Sequence, residues 1–155
     1  MNDYSLRCVE CGKIFDDSES GFLLECDEGH GPSLLQADYT VLDFNLDIEY
    51  DGIYRFREWL PIRRCLDHSP RTVIIESEEL SSSLGLSDLH FAFNGYWPEK
   101  EANMLTCSFK ELEAAAVLAR IPDSEQRTMV ISSAGNTGRA FLEYGSRTNT
   151  RMLVV

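Results

Sequence analysis

The chain has 155 residues, 43% hydrophobic and 26% charged, the balance of a folded domain or of a small module joined to an incomplete one. Its formal charge of −12 speaks against a nucleic-acid partner, because phosphate backbones are bound by clustered Lys and Arg. No apolar run approaches the roughly 20 residues of a membrane span. The opening text MNDYSLRCVECGK lacks the basic start and hydrophobic core of a secretory signal, so a cytoplasmic protein with no membrane partner is expected.

Residues 1–40 read as a ribbon-like module of short strands, with turns at Gly12, Gly21, Gly29, Gly31 and Pro32. Five cysteines in such a chain do not suggest a disulfide framework. Cys8 and Cys11 form a CVEC pair followed by Gly12, the tight turn of a zinc knuckle. Cys26 follows 15 residues later, with His30 four further on. Zinc takes four soft or borderline ligands in a tetrahedron, and short loops let each pair converge. A structural zinc held by Cys8, Cys11, Cys26 and His30 is one reading. A ribbon that has lost its metal and a set of unrelated thiols are the others. Cys65 and Cys107 stand alone and read as small core residues.

Residues 41–100 form an arm and the start of a larger body. The segment YDGIYRFREWLPI (50–62) alternates aromatic and charged residues and fits a short helix or extended arm packed on that body. Arg71–Glu76 (RTVIIE) has strand character from its β-branched run. SEELSSSLGL reads as either a helix start or a loop. Leu89–Phe93 is another short strand before an Asn94–Gly95 turn.

Residues 101–155 carry the chemistry. Only Lys13, Lys100 and Lys110 are available as amines, against eleven arginines. Ser108-Phe109-Lys110-Glu111 has the form of a capping box, with the serine accepting near Glu111 and Glu111 reaching back. Behind it ELEAAAVLAR is strongly helix-forming and apolar round most of its circumference, which predicts a buried helix. Lys110 in its first turn is then desolvated and faces the positive end of the helix dipole. Both effects favour the neutral, nucleophilic amine. A strand over 127–132, a tight SAGNTG turn (133–138), a helix through RAFLEY ending at Gly145, and a strand over 151–155 make a βαβ unit. Backbone N–H groups of the turn are free to hold a carboxylate or phosphate, or else the turn is only a turn.

The order of lysine-led helix, strand and SAGNTG resembles the fold-type-II pyridoxal-phosphate (PLP) enzymes, the family of cysteine and threonine synthases. GYWPEK (95–100), TCSFKELEA (106–114) and SAGNTGRAF (133–141) are most similar to its cysteate synthase branch. The resemblance implies an α/β protein, a zinc-ribbon-like module followed by part of a fold-type-II parallel-sheet domain. It implies Lys110 as the lysine that binds PLP covalently, and Asn136 as the contact to the cofactor ring hydroxyl. It implies Ser133, Ala134, Gly135 and Thr137 as the loop for the carboxylate of a small amino-acid substrate. Ala134 departs from the serine of many cysteine synthases. The implied activity is β-replacement on an O-activated serine, O-phosphoserine plus sulfite giving cysteate and phosphate. Threonine-synthase-like or cysteine-synthase-like chemistry is the alternative, and the complete protein is expected to be a homo-oligomer. The family's phosphate-cradling glycine-rich loop is not in this sequence. The expectation is therefore a fragment, or a chain completed by a second one, that does not catalyse alone. A non-catalytic interaction module pairing through an open sheet edge is the competing class.

Overall fold

A computed structural model describes residues 4–17, 22–41 and 43–155; the Gly21 turn lies outside the described residues. Residues of the front module form a three-stranded antiparallel sheet in the order β2-β1-β3, from β1 (Tyr4–Cys8), β2 (Ile14–Phe15) and β3 (Leu35–Tyr39). Alternation along β1 turns Tyr4, Leu6 and Cys8 inward, where they meet Phe15 in a small core of their own. Leu6 pairs with both Phe15 and Ala37, which fixes the register.

The arm is a 3-10 helix over Gly52–Trp59. Gly52 sits at φ 52°, and a Cβ there would lie 2.5 Å from the Pro70 carbonyl oxygen, so glycine is required at this approach. The helix delivers Tyr54, 2% exposed, whose hydroxyl donates to Ala115 O at 3.2 Å. The arm thus packs on the body through one buried aromatic. β4 (Val73–Glu76) and β5 (His90–Phe93) pair antiparallel. The stretch between them settles as a helix, α1 (Glu78–Leu84), because Ser77 accepts from Leu80 N at its start and Gly85 takes the left-handed conformation at its end. A short antiparallel pair, β6 (Tyr96–Trp97) and β7 (Ala102–Asn103), leads to the third helix-bearing region.

There α2 (Lys110–Arg120) and α3 (Asn136–Gly145) pack against each other. Ala114, Ala115, Leu118, Ala119, Ile121, Ala140, Phe141 and Tyr144 join Tyr54 in the main core. The alanines keep the α2 surface flat, so α3 can approach closely. β8 (Met129–Ile131) and β9 (Met152–Val154) pair in parallel on either side of α3, and the βαβ unit is present as expected. Its α-helix begins earlier than the sequence suggests: Asn136, Thr137 and Gly138 are its first turn, not part of the preceding loop. Val130, Leu153 and Val155 on this pair remain exposed, although parallel strands are commonly covered on both faces. Among the described residues no helix is long and apolar enough to cross a membrane.

Candidate functional site

The cysteine centre is built by two loops. After β1 the chain turns back through Cys8 O accepting from Gly12 N at 3.0 Å and Lys13 O accepting from Cys8 N at 2.9 Å, with Gly12 at φ 76°. Lys13 then reaches across to Asp27 and Glu28 at 2.8 and 2.7 Å, and so ties this knuckle to the loop carrying Cys26 and His30. One ligand atom from each of Cys8, Cys11, Cys26 and His30 lies within 4.8 Å of every other. Cys11 Sγ and Cys26 Sγ are 3.7 Å apart, and Cys8 Sγ and His30 Nε2 are 3.5 Å apart. Zinc bonds of ~2.3 Å to sulfur and ~2.0 Å to nitrogen at the tetrahedral angle place two sulfurs ~3.8 Å apart and a sulfur and nitrogen ~3.5 Å apart. The residues therefore fit a tetrahedral divalent ion.

Two features outside the ligand set reinforce this. His30 Nδ1 lies 2.7 Å from Gly31 O, the bond that orients a metal-ligating imidazole and presents Nε2 to the metal. Ser33 Oγ lies 3.4 Å from Cys8 Sγ. The Cys11 backbone N–H and the Ser33 hydroxyl hold the Cys8 thiol down to about 6, which favours the thiolate that a metal requires.

The second candidate site lies at the starts of α2 and α3. Ser108 Oγ accepts from Lys110 N at 3.2 Å, and the wholly buried Glu111 accepts through Oε1 from Thr106 N. This is the expected reciprocal cap displaced by one or two residues: the serine caps Lys110 rather than Glu111, and Glu111 reaches past Ser108. The displacement follows from the turn before the helix, where Cys107 takes φ 53° and donates its N–H to Met104 O at 3.1 Å. That turn also points Cys107 outward, so it is exposed rather than the core residue expected; Cys65 is half-buried.

Lys110 is not desolvated as anticipated. Its side chain is 32% exposed, Nζ donates to Glu113 Oε2 at 2.6 Å and stands 5.3 Å from the Phe109 ring centroid. An amine in this position can be reached by an aldehyde, provided it leaves Glu113. Of the other lysines, Lys13 is committed to the cysteine module and Lys100 sits exposed in the 3-10 turn Pro98–Lys100.

In the turn, Ser133 N donates to Val155 O at 2.9 Å, and Ser133 Oγ accepts from Gly135 N at 3.3 Å. The serine hydroxyl thus shapes the loop. Ala134, Gly135 and Asn136 are exposed and Thr137 is half-buried. First-turn N–H groups of α3 have no partner within the helix, so the turn offers donors to an anion. Gly138 is the position that must lack a side chain: a Cβ there would stand 2.3 Å from Ser133 O.

One constellation carries no local sequence signal. Asp17, wholly buried, receives Tyr4 Oη at 2.5 Å, Arg120 Nε at 3.0 Å and Nη2 at 2.7 Å, and Arg63 at 3.2 Å. Its partners stand 13, 46 and 103 residues away, beyond the reach of any motif. Burial alone pushes the carboxyl up, but Arg120, Tyr4 and Arg63 outweigh it and hold Asp17 below the usual carboxylate range.

No protein-family model and no solved structure matches the chain. Among curated proteins it is 42% identical over 153 residues to the cysteate synthase of Methanosphaerula palustris, covering 99% of this chain and 35% of that protein. It is 41% identical to the cysteate synthase of Methanosarcina mazei and 36% identical to that of Methanocorpusculum labreanum, each over 155 residues, all of this chain and 36% of the relative. Along its whole length the chain is similar to these cysteate synthases, and it spans about a third of the curated relatives it matches.

Proposed function

We propose that this chain supplies the covalent lysine and the substrate-carboxylate turn of a PLP-dependent enzyme that converts O-phosphoserine and sulfite to cysteate and phosphate. The observation that carries the reading is topological. Arg120 and Ile121, at the end of α2, line the same apolar groove as Thr128 and Met129, at the start of β8. α2 packs on α3, the helix whose first turn is Asn136, Thr137 and Gly138, so the lysine-led helix and the SAGNTG turn belong to one packed body. The turn follows the carboxyl end of β8, the end at which α/β proteins bind ligands, and in this reading Lys110 serves the same end.

PLP, when bound, supplies the electron sink that stabilises a carbanion at the substrate α-carbon. Lys110 Nζ would hold the cofactor, and its amine would serve as the base that takes and returns the substrate α-proton. The loop of Ser133, Ala134, Gly135 and Thr137, with the free N–H groups of the first turn of α3, would fix the substrate carboxylate, and the Asn136 amide would donate to the cofactor ring hydroxyl. Cys8, Cys11, Cys26 and His30 hold a structural zinc that takes no part in the bond changes. The name shared by the relatives favours sulfite as the nucleophile. Release of phosphate from O-phosphoserine that depends on sulfite, with cysteate as the second product, tests the reading in the complete protein supplied with PLP. Phosphate release that responds to sulfide and not to sulfite would move it to the cysteine-synthase-like alternative.

A further inference from the structure

The cysteine centre and α2 are joined by contacts that neither a metal site nor a cofactor lysine requires. Both segments that carry metal ligands are gripped by the last residue of α2. β1 bears Cys8 at its end and Tyr4 at its start, and Tyr4 Oη donates to Asp17 Oδ2 at 2.5 Å. Arg120 closes on the same carboxylate with two N–H groups. Its Nη2 also donates at 2.8 Å to the carbonyl of Leu23, three residues before Cys26. The Phe22 ring lies 5.0 Å from the Arg120 guanidinium and 5.9 Å from that of Arg127, while Arg127 Nη2 donates to Phe22 O at 3.0 Å. Arg63, next to the arm, adds a third cationic contact at 3.2 Å. The two segments converge on the metal ligands at one end and on Arg120 at the other.

We infer that a divalent metal in the cysteine centre fixes α2, with Asp17 and Arg120 as the positioning residues that transmit its effect toward Lys110. A metal orders the Cys8–Cys11 knuckle and the Cys26–His30 loop together. Order there fixes Tyr4 and Leu23, and with them the acceptors that hold Arg120. An eleven-residue helix is a rigid rod of ~16 Å, so fixing its last residue restrains its first. Metal loss frees the two loops, and the clamp then holds α2 to a mobile support. This inference rests on the metal reading of the cysteine centre and is independent of whether Lys110 binds PLP.

The test is amide hydrogen exchange along α2, measured with zinc bound and after chelation, in the protein and in Asp17→Asn. Asparagine keeps an acceptor at the site and leaves every metal ligand in place. With Asp17 present, chelation should speed exchange of residues 114–120 about tenfold, the order expected for losing one charged hydrogen bond. In Asp17→Asn, exchange should be fast with zinc bound and unchanged by chelation. Arg120→Lys, which keeps the charge but not the two-pronged grip, serves the same purpose should Asp17→Asn fail to fold. Unchanged α2 exchange on chelation of the native protein would overturn the inference. So would a full zinc effect surviving in the clamp variant, and so would the absence of bound metal by elemental analysis. Removal of Lys110 leaves all these readouts in place, so failure of the cofactor reading is seen separately.

Discussion

Substitution of Gly138 by alanine tests the close approach that shapes the 133–138 turn, the proposed anion site. A Cβ at this position meets Ser133 O at 2.3 Å, Ser133 C at 3.4 Å and Val154 Cγ1 at 3.0 Å. Two of the three atoms are backbone of the turn itself and cannot rotate away, so the first turn of α3 must retreat by about an ångström from the β8–β9 pair. Overpacking of this kind costs ~3 kcal/mol at its upper end. Alanine recovers up to ~1 kcal/mol through its helix propensity. The net expectation is a loss of about 2 kcal/mol in urea unfolding, with little change in slope. Gly135→Ala is the matched control: the nearest atom to its Cβ is Ser133 Oγ at 4.0 Å, and its φ is −108°, open to any residue. It should stay within about 0.5 kcal/mol of the native protein. Equal stability for Gly138→Ala, or greater damage from Gly135→Ala, would refute the close approach on which the site depends.

Protein purified without chelator should contain about one zinc per chain, and Cys8→Ser should lose both the metal and the stability of the front module; metal content unaffected by this change would remove Cys8 from the ligand set. Asp17 has a depressed folded-state pKa, so its stabilisation is fully present above the unfolded value of about 4 and is lost as pH falls through the folded value. Acid unfolding monitored below pH ~4 should therefore be less steep in Asp17→Asn than in the native protein; identical acid limbs would show that Asp17 is not the titrating group.

What the sequence made legible follows the range over which each signal acts. The knuckle at Cys8–Cys11, the βαβ unit and the buried face of α2 arise from local spacing and periodicity, and each is present. Residue-level detail near α2 is not legible from spacing, because a turn precedes the helix. Cys107 in the left-handed region shifted the cap by one or two residues and turned its own thiol to solvent. Lys110 stays partly exposed because the first turn of α2 places it and Glu113 together at the surface, where they form an ion pair. The SAGNTG text reads as a turn that delays α3, whereas Gly138 is a helical residue kept small by its neighbour. The Asp17 cluster was invisible, since its members are scattered over more than a hundred residues and only folding brings them together.

Titration of PLP into the complete protein and into its three single variants Lys110→Ala, Lys13→Ala and Lys100→Ala, followed by absorption at the edge of the visible range, tests the assignment of the cofactor lysine most directly. The band of a lysine-bound cofactor should form in the native protein, Lys13→Ala and Lys100→Ala, and be missing from Lys110→Ala. A band that persists without Lys110, or that disappears with either of the other lysines, would contradict it.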